Sequence, residues 1–146
     1  MMNISEMRHF LVKRNCKVIG CTDKEIQSLE SYFNITLPGE YKEFLRIMGK
    51  GAGDFMKGSS VFFNDIFDLQ KESESLLNEN NFKKLPKDAF VFFMHQGYQF
   101  AFFLINNDDN PKIFYYSEVE TTEDFDVFSE TFIEFLNIQF EFSFHQ

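Results

Sequence analysis

Residue types that commonly form functional sites or disulfide bonds are scarce in this sequence of 146 residues. It contains no tryptophan, three prolines, two cysteines and three histidines. Cys16 and Cys21 are five positions apart without a histidine between them, a pattern that fits neither a disulfide framework nor a zinc site. We interpret both cysteines as reduced thiols. No stretch approaches the roughly 18 consecutive apolar residues of a membrane span.

The histidines do not form a metal or catalytic motif. His9, His95 and His145 lie at one end, in the middle and at the other end of the sequence, and no pair has the spacing of metal ligands on a helix. His95, which precedes Gln96 and Gly97, is interpreted as a turn histidine that makes a local hydrogen bond.

Two polar segments resemble ligand loops in composition only. In the stretch GKGAGD, Phe44 stands where a phosphate loop needs its first glycine, and Gly51 stands where it needs Ser or Thr. The run 108–110 lacks the glutamate that closes a calcium loop at position 12. The sequence therefore predicts no catalytic residue, no cofactor and no metal site, and we expect a protein that is not an enzyme.

Charge is distributed unevenly along the chain. The net charge is −9, and no lysine or arginine follows Lys112, whereas eight acidic residues do. Such a surface repels nucleic acid and anionic membranes and attracts basic partners; simple solubility is the alternative explanation. Residues 1–17 lack the continuous apolar segment and the cleavage site of a signal peptide, so we expect a cytoplasmic protein.

Residues 89–117 predict the centre of the fold. Three runs rich in strand formers, at Ala89–His95, 99–106 and 112–117, are separated by Gly97 and by the polar turn NDDNP. This alternation of strand formers and turn formers is typical of an antiparallel meander. Both alternating positions of each run are apolar, which predicts a sheet covered on both faces by helices from the two ends of the chain.

Helical periodicity precedes this meander. Helices are predicted at 4–12 and at 22–34, the second one opened by a capping box of Thr22 and Glu25. A third helix begins near Pro38, which is favoured in a first turn. Its apolar stripe consists of Leu37, Tyr41, Phe44, Leu45 and Met48. A short edge strand at 61–63 and a helix at 67–80 follow.

A last helix is predicted after an acidic segment at 117–124. Its apolar positions recur at helical spacing: Phe125, Phe128, Phe132, Phe135 and Leu136. The tail after residue 138 either ends this helix or turns into a strand. The predicted class is α+β, an antiparallel sheet flanked by N-terminal helices and a C-terminal helix, in a single domain of residues 1–146.

Residues 26–49 resemble the opening signature of the SUKH superfamily, which includes the fungal Smi/Knr cell-wall regulators and many bacterial immunity proteins. That signature is an amphipathic helix, then Leu-Pro, two residues, Tyr-Lys-x-Phe-Leu and a glycine. The matching positions are Ile26, Leu29, Glu30, Leu37, Pro38, Tyr41, Lys42, Phe44, Leu45 and Gly49.

Later segments are similar to the family as well, so that the resemblance covers about residues 22–138. They include Leu85-Pro86, a turn near Gly97, Pro111, and the ending at Phe132, Phe135 and Leu136. One position departs from the pattern: the common Gly-Asp after the central strand is Gly97-Tyr98 here. A role tied to that acid is therefore not carried over.

The resemblance implies an α+β fold without catalytic residues. It further implies an immunity protein that binds and neutralises a cognate toxin, often a nuclease, of a bacterial polymorphic toxin system. The alternative is a non-catalytic regulatory scaffold of the Smi/Knr type that binds other proteins. A toxin gene directly upstream would favour immunity.

An acidic inhibitor suits a basic toxin, so we expect the partner to dock on the acidic segment before the last helix. The predicted contacts are the carboxylates of Glu118, Glu120, Glu123 and Asp124. Tyr98 and Tyr116 are predicted as aromatic anchors on the exposed rim of the sheet. Under the alternative, the acids form a solvated connector and the tyrosines belong to the core.

Overall fold

Within residues 1–144, which a computed structural model describes, the chain forms five helices and seven strands. His145, included in the expectation of isolated histidines, lies outside the described residues. The elements are α1 (Ile4–Lys13), β1 (Val18–Ile19), α2 (Asp23–Phe33), α3 (Gly39–Met48), β2 (Gly51–Ala52), β3 (Ser59–Ser60), α4 (Phe63–Glu79), β4 (Ala89–His95), β5 (Gln99–Leu104), β6 (Ile113–Ser117), β7 (Asp126–Ser129) and α5 (Phe132–Phe144).

The main sheet has five antiparallel strands in the order β3-β4-β5-β6-β7. The predicted meander is confirmed, because β4, β5 and β6 are consecutive antiparallel neighbours. The turn between β4 and β5 places Gln96 and Gly97 at positive φ, 51° and 75°. Glycine adopts this conformation without steric cost, which explains its position in the turn. Together with the five helices, this antiparallel sheet confirms the predicted α+β fold class.

The two faces of this sheet are covered differently. On the helix-covered face, Phe92 lies against Tyr41 of α3 and against Phe132 and Phe135 of α5. A register shift between Val91 and Phe93 brings Phe93 against Phe135 as well. A bulge of this kind disturbs the alternation of side chains, so neighbouring phenylalanines reach one side.

The connector-covered face packs on two segments outside the helices. Phe82, which follows α4, contacts Tyr116, and Phe125, which precedes β7, contacts Phe102. Both faces are therefore covered, as expected. Phe82 and Phe125 supply aromatic contacts on this face, and helix α4 also packs against strand β4.

The N-terminal helices largely follow the prediction. The capping box of Thr22 and Glu25 is present, and Asn34 ends α2 in the left-handed conformation with φ of 54°. The predicted stripe of α3 is buried throughout. On α2, Tyr32 is 65% exposed. Its ring packs at the surface against Phe33 and Phe67.

Three short strands differ from the prediction. The segment 15–21, which lies between the first two predicted helices, contains β1, which pairs with β2 inside the glycine-rich stretch. The strand expected at 61–63 is wrong: β3 is Ser59–Ser60, and Phe63 already begins α4. Helix α4 thus starts four residues before the expected position 67.

The start of the last helix was also predicted wrongly. Phe125 precedes β7 and Phe128 lies within it, whereas α5 begins at Phe132. The Thr131 hydroxyl accepts a hydrogen bond from the Glu134 N–H at 3.1 Å, and this cap fixes where the helix begins. The tail through Phe144 is helical, so the strand alternative is wrong there.

Candidate protein-binding site

The predicted contact residues lie around one corner of the main sheet. The acidic connector, residues 118–125, joins β6 to β7 and is adjacent to the turn between β4 and β5. The Glu118 N–H donates to the Tyr98 carbonyl at 3.0 Å. The connector is folded back tightly, since the Thr121 hydroxyl accepts from the Ser117 N–H and donates to Asp126 Oδ2. Glu118 and Tyr98 are thus close together.

The four predicted acids do not form one cluster. Glu118 accepts a hydrogen bond from Asn80 Nδ2 at 3.2 Å, and Glu120 accepts one from the Tyr115 hydroxyl at 2.8 Å. Asp124 forms an ion pair with Lys83. Within residues 1–144, Glu123 makes no ion pair and no side-chain hydrogen bond, and it is exposed. Asp124 is therefore the least available of the four for a partner.

The connection of Asp124 to Lys83 belongs to the connector-covered face. The Lys83 ammonium lies 5.6 Å from the centre of the Phe125 ring, and Phe125 packs on the sheet. The Lys83 ammonium, together with the Phe125 N–H, lowers the pKa of the Asp124 carboxyl. Asp124 is therefore engaged in a contact within the protein.

One of the two predicted tyrosine anchors is corrected. Tyr116 is only 2% exposed and packs against Phe82 and Phe100 at ring distances of 4.8 and 5.5 Å. It is a core residue, because its position on β6 faces the connector-covered side. Tyr98 is half-buried, with its ring 6.3 Å from that of His95. It remains accessible at the corner.

An aromatic groove with a volume of about 540 Å³ opens beside this corner, between the helix-covered face and α5. Tyr115, Phe128 and Phe135 supply a connected aromatic wall, with ring distances of 5.6 and 5.2 Å between neighbours. Phe142 of α5, which is 67% exposed, adds a further aromatic surface. Glu120 lies on the rim.

A histidine and a serine complete the polar rim of the groove. Ser59 Oγ lies 2.9 Å from Nδ1 of His95. The interpretation of His95 as a turn residue with a local hydrogen bond holds for its backbone, because its carbonyl accepts from the Tyr98 N–H at 3.3 Å. Its ring instead contacts Ser59, which is 36 positions away. This contact joins the short strand β3 to β4 at the groove.

The Tyr115–Glu120 pair sets the electrostatics of the rim. The Glu120 carboxylate accepts a hydrogen bond from the phenol, which raises the pKa of Tyr115 to about 12. Loss of that proton would place two negative charges side by side. The hydroxyl therefore stays protonated at neutral pH and holds the carboxylate at the edge of the groove.

Within residues 1–144, no three His, Cys, Asp or Glu side chains are grouped so that they could hold a metal ion. No helix in that part of the chain combines the length and the apolar character needed to cross a membrane. A larger open groove of about 1240 Å³ lies between α2, α4 and the segment before β4, lined by acids and by Lys84 and Lys87.

Sequence reasoning missed the groove. Its members Ser59, Tyr115, Phe128 and Phe142 come from four separate elements, and no spacing along the chain connects them. A usable signal existed for one point only: Thr131 and Glu134 have the spacing of a helix N-cap. That signal would have placed the start of the predicted helix after Phe128.

Comparison with protein families identifies the fold's relatives. Residues 20–138 match the SMI1 / KNR4 family (SUKH-1). The chain belongs to this family. No curated protein matches the sequence. The match confirms the resemblance at the level of the family and extends over nearly the predicted range.

The structure shows what the SUKH-1 signature does in this chain. Leu37, Tyr41 and Phe44 are at most 2% exposed, so the apolar part of the signature is core. Glu30 accepts a hydrogen bond from the Leu37 N–H at 2.8 Å and lies 3.8 Å from the Lys42 ammonium. These polar contacts hold the turn between α2 and α3.

Proposed function

We propose that this protein is a non-catalytic immunity protein that acts in the cytoplasm. It binds and neutralises a cognate toxin, a basic protein domain such as a nuclease, of a bacterial polymorphic toxin system. The observation that carries the proposal is the exposed acidic connector in a SUKH-1 chain: Glu118, Glu120 and Glu123 are exposed, and no lysine or arginine follows Lys112.

Charge and aromatic contacts have different roles in this proposal. A nuclease needs a basic surface to bind its substrate, and an acidic protein on that surface blocks it. The carboxylates accelerate encounter and select the partner. Half-buried aromatic side chains at the same corner, such as Tyr98, exclude water and hold the complex, as aromatic hot spots do at other interfaces.

The direct test replaces Glu118, Glu120 and Glu123 together by lysine. Asp124 is left unchanged because a lysine there would face Lys83 and disturb the fold. The test uses the toxin encoded beside the immunity gene. We expect cells that express the triple variant to lose protection from this toxin, while wild-type protein protects them. Circular dichroism of the purified variant confirms that it is folded.

A second triple variant controls for total charge. Asp68, Glu72 and Glu79 are exposed on α4, and within residues 1–144 they form no ion pair. Replacing these three by lysine changes the net charge by the same amount as the first variant. We expect this control to protect cells. Equal protection by both folded variants would contradict the proposed surface, and a gene neighbourhood without a toxin gene favours the regulatory scaffold instead.

A further inference from the structure

We propose that the aromatic groove binds one arginine side chain of the partner protein, with its guanidinium on Glu120. The inference rests on the proposed function for the nature of the partner, a basic protein. It adds the place and the kind of side chain that the partner inserts.

The walls suit a long side chain with an apolar stem. Phe93 and Phe135 lie at the base with ring centres 5.2 Å apart and are nearly inaccessible to water. Tyr115, Phe128 and Phe142 are more accessible and present ring surfaces along the sides. A volume of about 540 Å³ falls in the range of about 300–1,000 Å³ typical of ligand pockets. The groove thus has room for a side chain and its flanking backbone.

The Glu120 carboxylate is held in position by one hydrogen bond and can accept another. Its Oε2 accepts the Tyr115 hydroxyl at 2.8 Å, and within residues 1–144 its Oε1 has no hydrogen-bond partner and the side chain has no ion pair. A carboxylate can accept several hydrogen bonds. Because Tyr115 fixes one oxygen, the other can receive a donor without a large loss of side-chain freedom.

The charges around the groove favour a cation. Its lining includes the carboxylates of Asp54 and Glu120 and one ammonium, that of Lys57. Asp126, which pairs in register with Tyr115, adds a negative charge behind the rim. An aromatic ring also attracts a cation to its face, and arginine makes this contact more often than lysine.

Arginine fits these features better than lysine or an apolar residue. Its planar guanidinium can stack on a ring and donate to a carboxylate at the same time. The ammonium of lysine is more strongly hydrated and lacks the flat surface. An apolar side chain would leave Oε1 of Glu120 without a donor as water is excluded, which is unfavourable.

The test uses a small probe, acetyl-arginine methylamide, in place of the toxin. Nuclear magnetic resonance of ¹⁵N-labelled protein follows the amides of Gln99, Ala101 and Gln139, which line the groove. We expect saturable shifts of these amides at millimolar probe concentrations. The lysine, citrulline and norleucine derivatives should each bind about tenfold more weakly, because they lack either the planar guanidinium or the charge.

Single substitutions locate the interaction. Glu120→Gln should weaken arginine binding about tenfold, and Phe142→Ala, at an exposed position, should weaken it as well. Glu141→Gln is the matched control, because it removes the same charge from an exposed position of α5 that does not line the groove. Lys57→Met should strengthen binding by removing the competing cation.

Three results would overturn the inference: no shift of the groove amides, equal binding of any comparison probe, or equal weakening by Glu120→Gln and Glu141→Gln. The amide spectrum of each variant shows whether it is folded. Because no toxin takes part, these results do not depend on the protection assay. A groove that fails to bind arginine leaves the proposed function standing, and loss of the proposed function leaves the probe result standing.

Discussion

At the scale of single residues, Tyr41 occupies the centre of the aromatic core. Its ring lies within about 6.3 Å of five phenylalanine rings, those of Phe44, Phe90, Phe92, Phe103 and Phe132. Its hydroxyl is buried and, within residues 1–144, has no hydrogen-bond partner. Burial raises the pKa of this phenol far above its ordinary value, so the group stays neutral.

Tyr41→Phe should therefore raise the free energy of unfolding by about 1 kcal/mol, since an unsatisfied buried polar group costs about 1–3 kcal/mol. The ring and its contacts are kept. Urea denaturation measures the change, and Tyr32→Phe, at an exposed ring, is the control expected to have no effect. A loss of more than about 1 kcal/mol would mean that the hydroxyl has a polar partner, such as a buried water molecule.

The Tyr115–Glu120 pair makes a prediction about titration. Glu120→Gln should lower the pKa of Tyr115 from about 12 toward its ordinary value of 10.0, because the amide does not repel the phenolate. Carbon-13 resonance of labelled tyrosine rings measures this. In the wild type, the raised pKa contributes stability that is fully present below pH 10 and is lost as the pH rises through about 12. An unchanged pKa in the variant would show that the pair does not form.

At the scale of elements, the sequence predicts helices and strands well where a single period of apolar residues dominates. The strands β4, β5 and β6 and the cap at Thr22 follow from turn formers and capping chemistry. The segment 125–136 could not be assigned by spacing, because its phenylalanines fit a helical stripe while residues 126–129 also pair with β6. Tertiary pairing decides such a case, and the cap at Thr131 marks the boundary.

The candidate site shows the same limit of sequence reasoning. On β6, Tyr115 and Tyr116 are adjacent and point to opposite faces, so a shift of one position exchanges their roles. The register pairs Ala101 with Tyr115 and Phe100 with Tyr116, and that register depends on the rest of the sheet. The exposure of the acids can be inferred from composition. Which of the two tyrosines, Tyr115 or Tyr116, lies beside them cannot.

Helix α4 protects the open side of strand β4 through one side chain. The Gln70 amide donates to the Val91 carbonyl at 2.6 Å and accepts from the Val91 N–H at 2.9 Å. These are the backbone groups that a neighbouring strand would otherwise bind, because β3 pairs only with Met94 and His95. The side chain thus takes the place of a strand at this edge.

Gln70→Met should lower the free energy of unfolding by about 2 kcal/mol, because two backbone groups of a buried residue lose their partners. Hydrogen exchange of the Val91 amide should become faster in the same variant. Lys71→Met changes an exposed neighbour on the same helix and serves as the control. A change below about 0.5 kcal/mol for Gln70→Met, within the range of ordinary surface substitutions, would show that the edge needs no such cover.

At the scale of the whole molecule, charge is separated along the chain and only partly neutralised. Two ion pairs connect the acidic C-terminal segment to the rest of the described chain, Lys83 with Asp124 and Lys112 with Glu130. In the first 60 residues, three basic side chains form ion pairs, all within that part: Lys42 with Glu30, Arg46 with Asp23 and Glu43, and Lys50 with Glu25. The negative field near the acidic connector is therefore little reduced by cations.

Under the proposed function, this separation of charge predicts how salt affects binding of the toxin. At about 0.15 M ionic strength, charges act over about 8 Å, so the location of acids matters more than the net charge. The association rate of the wild type should fall as salt is added, and the variant with lysine at Glu118, Glu120 and Glu123 should show a slower and flatter response. The α4 control, which has the same net charge, should keep most of the wild-type dependence.

Rapid-mixing measurements from about 0.01 to 0.5 M salt separate these cases, since the screening length shrinks from about 30 Å to a few ångströms over that range. At the lowest salt both variants should associate more slowly than wild type, because net charge then acts over the whole molecule. At physiological salt they should diverge. If their rates stay equal at every salt concentration, net charge alone governs encounter, and the acidic connector serves solubility without directing the partner.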